Sequence, residues 1–138
     1  MWWIYALLSA FFAALTALLA KVGVKNIDSD LATAIRTLVI LAITWGIVFF
    51  KFNTISIASL SKNNLLFLGL SGIATGLSWL FYFKALQLGS VSLVAPVDKL
   101  SVALTVLLSV IFLNEALTIK SILGVLLIIG GVVLLINQ

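Results

Sequence analysis

The chain is 138 residues long, 64% of them apolar and only 9% charged, with a net charge of +4. Ordinary soluble domains are about a quarter charged; a soluble chain of this size cannot hide so much apolar surface from water, so its solvent is lipid. Cysteine and histidine are both absent, which excludes disulfides and thiolate sites, removes the commonest metal ligand and general base, and argues against a hydrolase or transition-metal enzyme.

A spanning helix needs about 20 predominantly apolar residues at 1.5 Å rise each, and five stretches qualify. The first runs from about Trp2 to Val24, opening on Trp2, Trp3 and Tyr5 as an interfacial aromatic belt. It has no basic leader and no small-residue cleavage site, so it reads as a retained helix and not a signal peptide. The polar break Lys25 to Asp30 follows, with Asp30 placed to cap a second helix from about Leu31 to Phe50. Lys51 to Asn64 is the longest polar break, dotted with Ile55, Ile57 and Leu60, and is expected to lie along the membrane interface. The third helix runs from about Asn64 to Leu86; Gly89 then offers a residue able to take positive φ, and Ser90 a cap. The fourth runs from about Val91 to Leu113 and the fifth from about Ile119 to Ile136. The fold class is therefore an all-α membrane protein, a bundle of five transmembrane helices forming one domain over residues 1–138.

Positive charge in short loops normally sets orientation. With the N-terminal side taken as face A, that face holds Lys51, Lys62 and Lys120; face B holds Lys21, Lys25 and Lys84, with Arg36 slightly inside. So even a balance fits a fixed topology set by other signals, and it equally fits insertion in both orientations with assembly as an antiparallel homodimer. The cations are scattered singly, so no nucleic-acid or polybasic lipid-binding patch is expected.

Asp98 and Lys99 lie inside the fourth helix, where each costs about 2.5–3.5 kcal/mol at a helix centre and somewhat less off-centre. The fourteen Leu, Ile, Val and Phe residues of that segment return roughly 0.3–0.6 kcal/mol apiece, so the sums nearly cancel. Such a helix needs neighbours or water for its charges. Pro96 cannot donate to the Ser92 carbonyl, which predicts a kink, and a kinked helix beside ionisable groups points to a transport site. Arg36 lies about 8 Å and Asp98 about 10 Å in from face B, and Trp79 and Tyr82, three apart on one helix face, reach a similar depth. Arg36, Trp79, Tyr82, Asp98 and Lys99 are thus the candidate substrate pathway, suited to zwitterionic or amphipathic metabolites, with an Arg36–Asp98 ion pair as one arrangement. The plainer readings are that Arg36 and Lys99 snorkel to the interface, that the two aromatics are belt residues, and that Pro96 only shapes packing. Gly72 and Gly76 form a GxxxG pair that marks a contact face; with Pro96 they are the candidate hinges.

The run Trp79-Leu-Phe-Tyr82-Phe-Lys-Ala85-Leu86-Gln-Leu-Gly89-Ser-Val-Ser-Leu-Val-Ala95-Pro96 resembles the signature of EamA-type proteins of the drug/metabolite transporter superfamily. The resemblance continues through Phe112-Leu113-Asn114-Glu115-Ala-Leu117-Thr118 and into Gly124 to Gly131, and is looser over the first two helices. Many members carry ten helices in two inverted halves; this chain resembles one half, with Asn114 where the family more often has glycine. The resemblance implies a transporter fold, an inner-membrane location, and a small metabolite or drug-like solute as substrate. The half-size length strengthens the antiparallel homodimer. The expectation is a secondary transporter working by alternating access, with no cofactor, no metal site and no catalytic residue. The rivals are a membrane subunit of a lipid-linked sugar flippase and a non-transporting structural or assembly protein.

Overall fold

A computed structural model describes residues 1–51 and 60–137. They form α1 (Trp2–Gly23), α2 (Ser29–Phe50), α3 (Lys62–Leu88), α4 (Val91–Asp98), α5 (Leu100–Leu113) and α6 (Ile119–Ile136). Among the described residues five stretches are long and apolar enough to cross a membrane, the fourth being α4 and α5 together. The protein is an all-α, multi-pass membrane protein. Most of the Lys51–Asn64 break, expected along the interface, lies outside the described residues.

The chain divides into two compact units, residues 1–88 and 89–138. In the first, α3 packs against both α1 and α2. Its buried residues are Ala17, Ala20 and Val24 at the end of α1, Ser29, Ala32 and Thr33 at the start of α2, and Phe83 and Leu86 near the end of α3. Each set repeats at three- and four-residue spacing, one stripe per helix. Small residues at that junction let the helices approach closely. The expected contact pair does not serve this purpose among the described residues of this unit: a Cβ placed on Gly72 or Gly76 meets none of their atoms within 4 Å. The face-A halves of these helices carry their large apolar side chains outward, as lipid allows.

Helix ends set the detail. The cap of α2 is Asp28 and not Asp30: its Oδ1 accepts from the backbone N–H of Asp30 at 2.9 Å and of Leu31 at 3.1 Å. Asp28 has the extended backbone a cap requires, whereas Asp30 is already in the first helical turn. At the end of α3, the Lys21 ammonium donates to the carbonyl of Leu86 at 2.6 Å and the Gln87 amide to the carbonyl of Ile27 at 2.9 Å. Leu86 is fully buried, and its carbonyl is among the last four that the helix leaves unsatisfied. A cation there also complements the helix dipole. Lys21 therefore ties α1 to α3, a role that its count as a loop charge conceals.

In the second unit α6 packs against α4 and α5, presenting Gly124, Val125, Ile128, Ile129 and Val132 as a half-buried to buried stripe. The expected kink near Pro96 is a full interruption: α4 ends at Asp98, and the N–H of Lys99 bonds back to the Pro96 carbonyl at 3.0 Å. Ser90 stands at the N-cap of α4, but its hydroxyl meets that of Ser92 at 3.1 Å and makes no capping bond. Gly89 does not take positive φ; that conformation falls to Asn114, at φ 53°. There the chain leaves α5 in the left-handed region, and the N–H of Glu115 turns back to the Ser109 carbonyl at 3.3 Å. Asparagine tolerates this region better than any side chain save glycine's absence of one, which accounts for a position where glycine was the expected residue. Thr118 then caps α6, accepting from the Ser121 N–H at 3.1 Å.

Two substitutions check these ends by thermal unfolding in detergent. Asn114→Gly should leave stability unchanged or slightly raised, whereas Asn114→Ala should cost about 1 kcal/mol. Lys21→Met, which keeps the stem and removes the donor, should cost about 1–3 kcal/mol by orphaning a buried carbonyl.

Candidate functional site

Arg36 stands two turns into α2, on the stripe begun by Ser29, Ala32 and Thr33, so it faces α3 from a membrane-spanning segment. An uncompensated guanidinium is costly there. Two aromatic rings of α3 meet it: its central carbon lies 3.9 Å from the Trp79 ring centroid and 5.4 Å from that of Phe83. Trp79 and Phe83 are four residues apart, hence one above the other on a single helix face. The ring quadrupoles attract the cation, by about 2 kcal/mol where water is excluded.

Arg36 and Phe83 also line a cleft of about 350 Å³. Its other walls are Thr16, Leu19, Ala20 and Gly23 from α1, Ile27 from the connection, and Ala32 and Ile35 from α2. The walls are apolar apart from the Thr16 hydroxyl and the guanidinium. Arg36 is the single charged residue among them.

Of the residues expected to form the pathway, Arg36 and Trp79 meet directly. Tyr82 is half-buried on the same helix, its ring edge-on to that of Phe83 with centroids 6.5 Å apart. Asp98 and Lys99 belong to the second unit, where they pair with each other at 3.1 Å. A regular helix would set adjacent residues about 100° apart; the interruption at Lys99 lets the two side chains converge. Phe83 and the α1 wall were not anticipated. The signal for Phe83 was present, four residues beyond Trp79, but the α1 residues are ordinary apolar ones with nothing in their spacing to mark a cleft.

Residues 1–137 match the model of the EamA-like transporter family. A Sinorhizobium protein named as an uncharacterized transporter in the cobO 3′ region is 50% identical over 134 residues, covering 97% of this chain and 95% of that protein. An uncharacterized protein of Methanocaldococcus jannaschii is 38% identical over 66 residues, 48% of either chain. No solved structure matches.

The ring contact can be weighed by a double-mutant cycle. Arg36→Gln and Trp79→Leu, singly and together, should show a coupling of about 1–2 kcal/mol in unfolding measured in a mild detergent. Additive effects would mean that ring and cation do not interact.

Proposed function

This chain belongs to the EamA-like transporter family, and from that premise we propose that it moves small organic solutes by alternating access, as an antiparallel homodimer in the cell's inner membrane. The observation that carries the reading is the family match with five helices able to cross a membrane among the described residues, in a chain that covers 95% of its Sinorhizobium relative. Inverted repeats need an even pairing of opposed halves, and a second copy inserted the other way supplies the missing one. The even division of lysines between the two faces supports such insertion. Space around Gly72 and Gly76, where a Cβ would meet nothing, leaves room for a helix of a partner.

In this reading the cleft beside Arg36 and Trp79 receives the solute, and the interrupted fourth span is the flexible point. Rotation at the Asp98–Lys99 break, with Pro96 weakening the helix just before it, opens one side as the other closes. Should protons drive the cycle, Asp98 is the carboxylate within the spans best placed to carry them. Family membership points to transport and not to catalysis.

Single cysteines test the assembly, because the chain has none of its own. Asn26→Cys and Ala116→Cys sit in breaks on opposite faces of the five-span order. A membrane-impermeant thiol reagent applied to intact cells should label a fraction of each. Labelling of one position alone would overturn dual insertion and the antiparallel dimer with it.

A further inference from the structure

We infer that the cleft of the first unit selects its occupant by charge: it takes an amphipathic anion, an acidic group joined to an apolar or aromatic body, and Arg36 does the selecting. This deepens the transport reading and rests on it for its purpose, while its chemistry stands on the cleft alone.

The lining carries one formal charge, the guanidinium, and no carboxylate. Among the described residues of this unit no acid pairs with Arg36; the Trp79 and Phe83 rings meet it, and Tyr82 lies within electrostatic reach. A ring 3.9 Å from the central carbon stabilises the cation but accepts no hydrogen bond along its in-plane edge, where the five N–H donors point. That edge matches a carboxylate, sulfonate or phosphate bidentately. In a cleft walled by Leu19, Ile35 and Phe83, attraction to an anion is screened far less than in water, and a cationic solute is repelled for the same reason. The volume, about 350 Å³, lies in the range that holds small metabolites. Ala20, Gly23 and Ala32 make that room by their small size.

An acidic lipid and a soluble organic acid share this chemistry, and one experiment separates them. The protein in phosphatidylcholine nanodiscs is titrated with labelled indole-3-acetate and competed with tryptamine and indole-3-ethanol, which carry the same ring with positive and zero charge. The acid should bind at least tenfold tighter than the amine. R36Q should abolish that preference, and R36K should keep it at reduced affinity. Gly23→Leu places its Cβ where no atom lies within 4 Å and fills the cleft; it should weaken acid and alcohol alike, which locates the binding even if R36Q folds poorly. Repeating the titration in phosphatidylglycerol nanodiscs at high salt, where bulk surface charge is screened, identifies the source. Displacement of the acid makes the occupant a lipid headgroup; unchanged binding makes it a soluble acid; either supports an anion site. Absent acid binding, an equal grip on tryptamine, or a preference intact in R36Q overturns the assignment. Equal binding of all three indoles would remove charge selection and leave transport standing. Acid binding without flux into proteoliposomes would remove transport and leave the anion site standing.

Discussion

Inside a bilayer, a backbone carbonyl or N–H without a partner has no water to turn to, and much of this structure follows from how each helix end meets that demand. The ends that fall in polar breaks use short side chains nearby: Asp28 for α2 and Thr118 for α6. Where α5 stops, the chain turns through a left-handed residue and returns the Glu115 N–H to Ser109. At the end of α3 a lysine from α1 reaches across to the Leu86 carbonyl. That one bond joins the end of the first span to the end of the third, and the buried residues of the unit cluster around the same level.

The charges within the spans are handled in two different ways. Asp98 and Lys99 neutralise each other across a break in the helix, each side chain still partly exposed. Arg36 is met by aromatic faces, which stabilise the cation without cancelling it. A cation held by rings keeps its outward field, and a cation held by a carboxylate does not. The first arrangement is therefore the better suited to recognising a solute.

The fold was largely legible in the sequence because lipid simplifies the code: length and apolarity alone locate five spans, and each observed boundary lies within two residues of its expected place. Ends were less legible. Asp28 and Asp30 differ only in backbone geometry, and both are good caps by residue type. Gly89 promised a left-handed turn that the chain makes at Asn114 instead. Contacts between helices were least legible, since Gly72 and Gly76 attract notice by their motif while the junction is built from Ala17, Ala20, Ser29 and Ala32, which are common everywhere in membrane helices. Of the site, Arg36 and Trp79 stood out as costly or large groups at one depth. The cleft wall did not, being made of residues whose only distinction is where they sit.

The bond from Lys21 to Leu86 spans 65 residues of chain, and this imposes an order on synthesis. At about 5–20 residues per second, the lysine waits roughly 3–13 s after leaving the ribosome before its acceptor exists. During that interval α1 and α2 lie in the membrane without the helix against which both pack. The contact that fixes the end of the first span against the third therefore closes only after the second has been made, so the packing of this unit is completed late in synthesis.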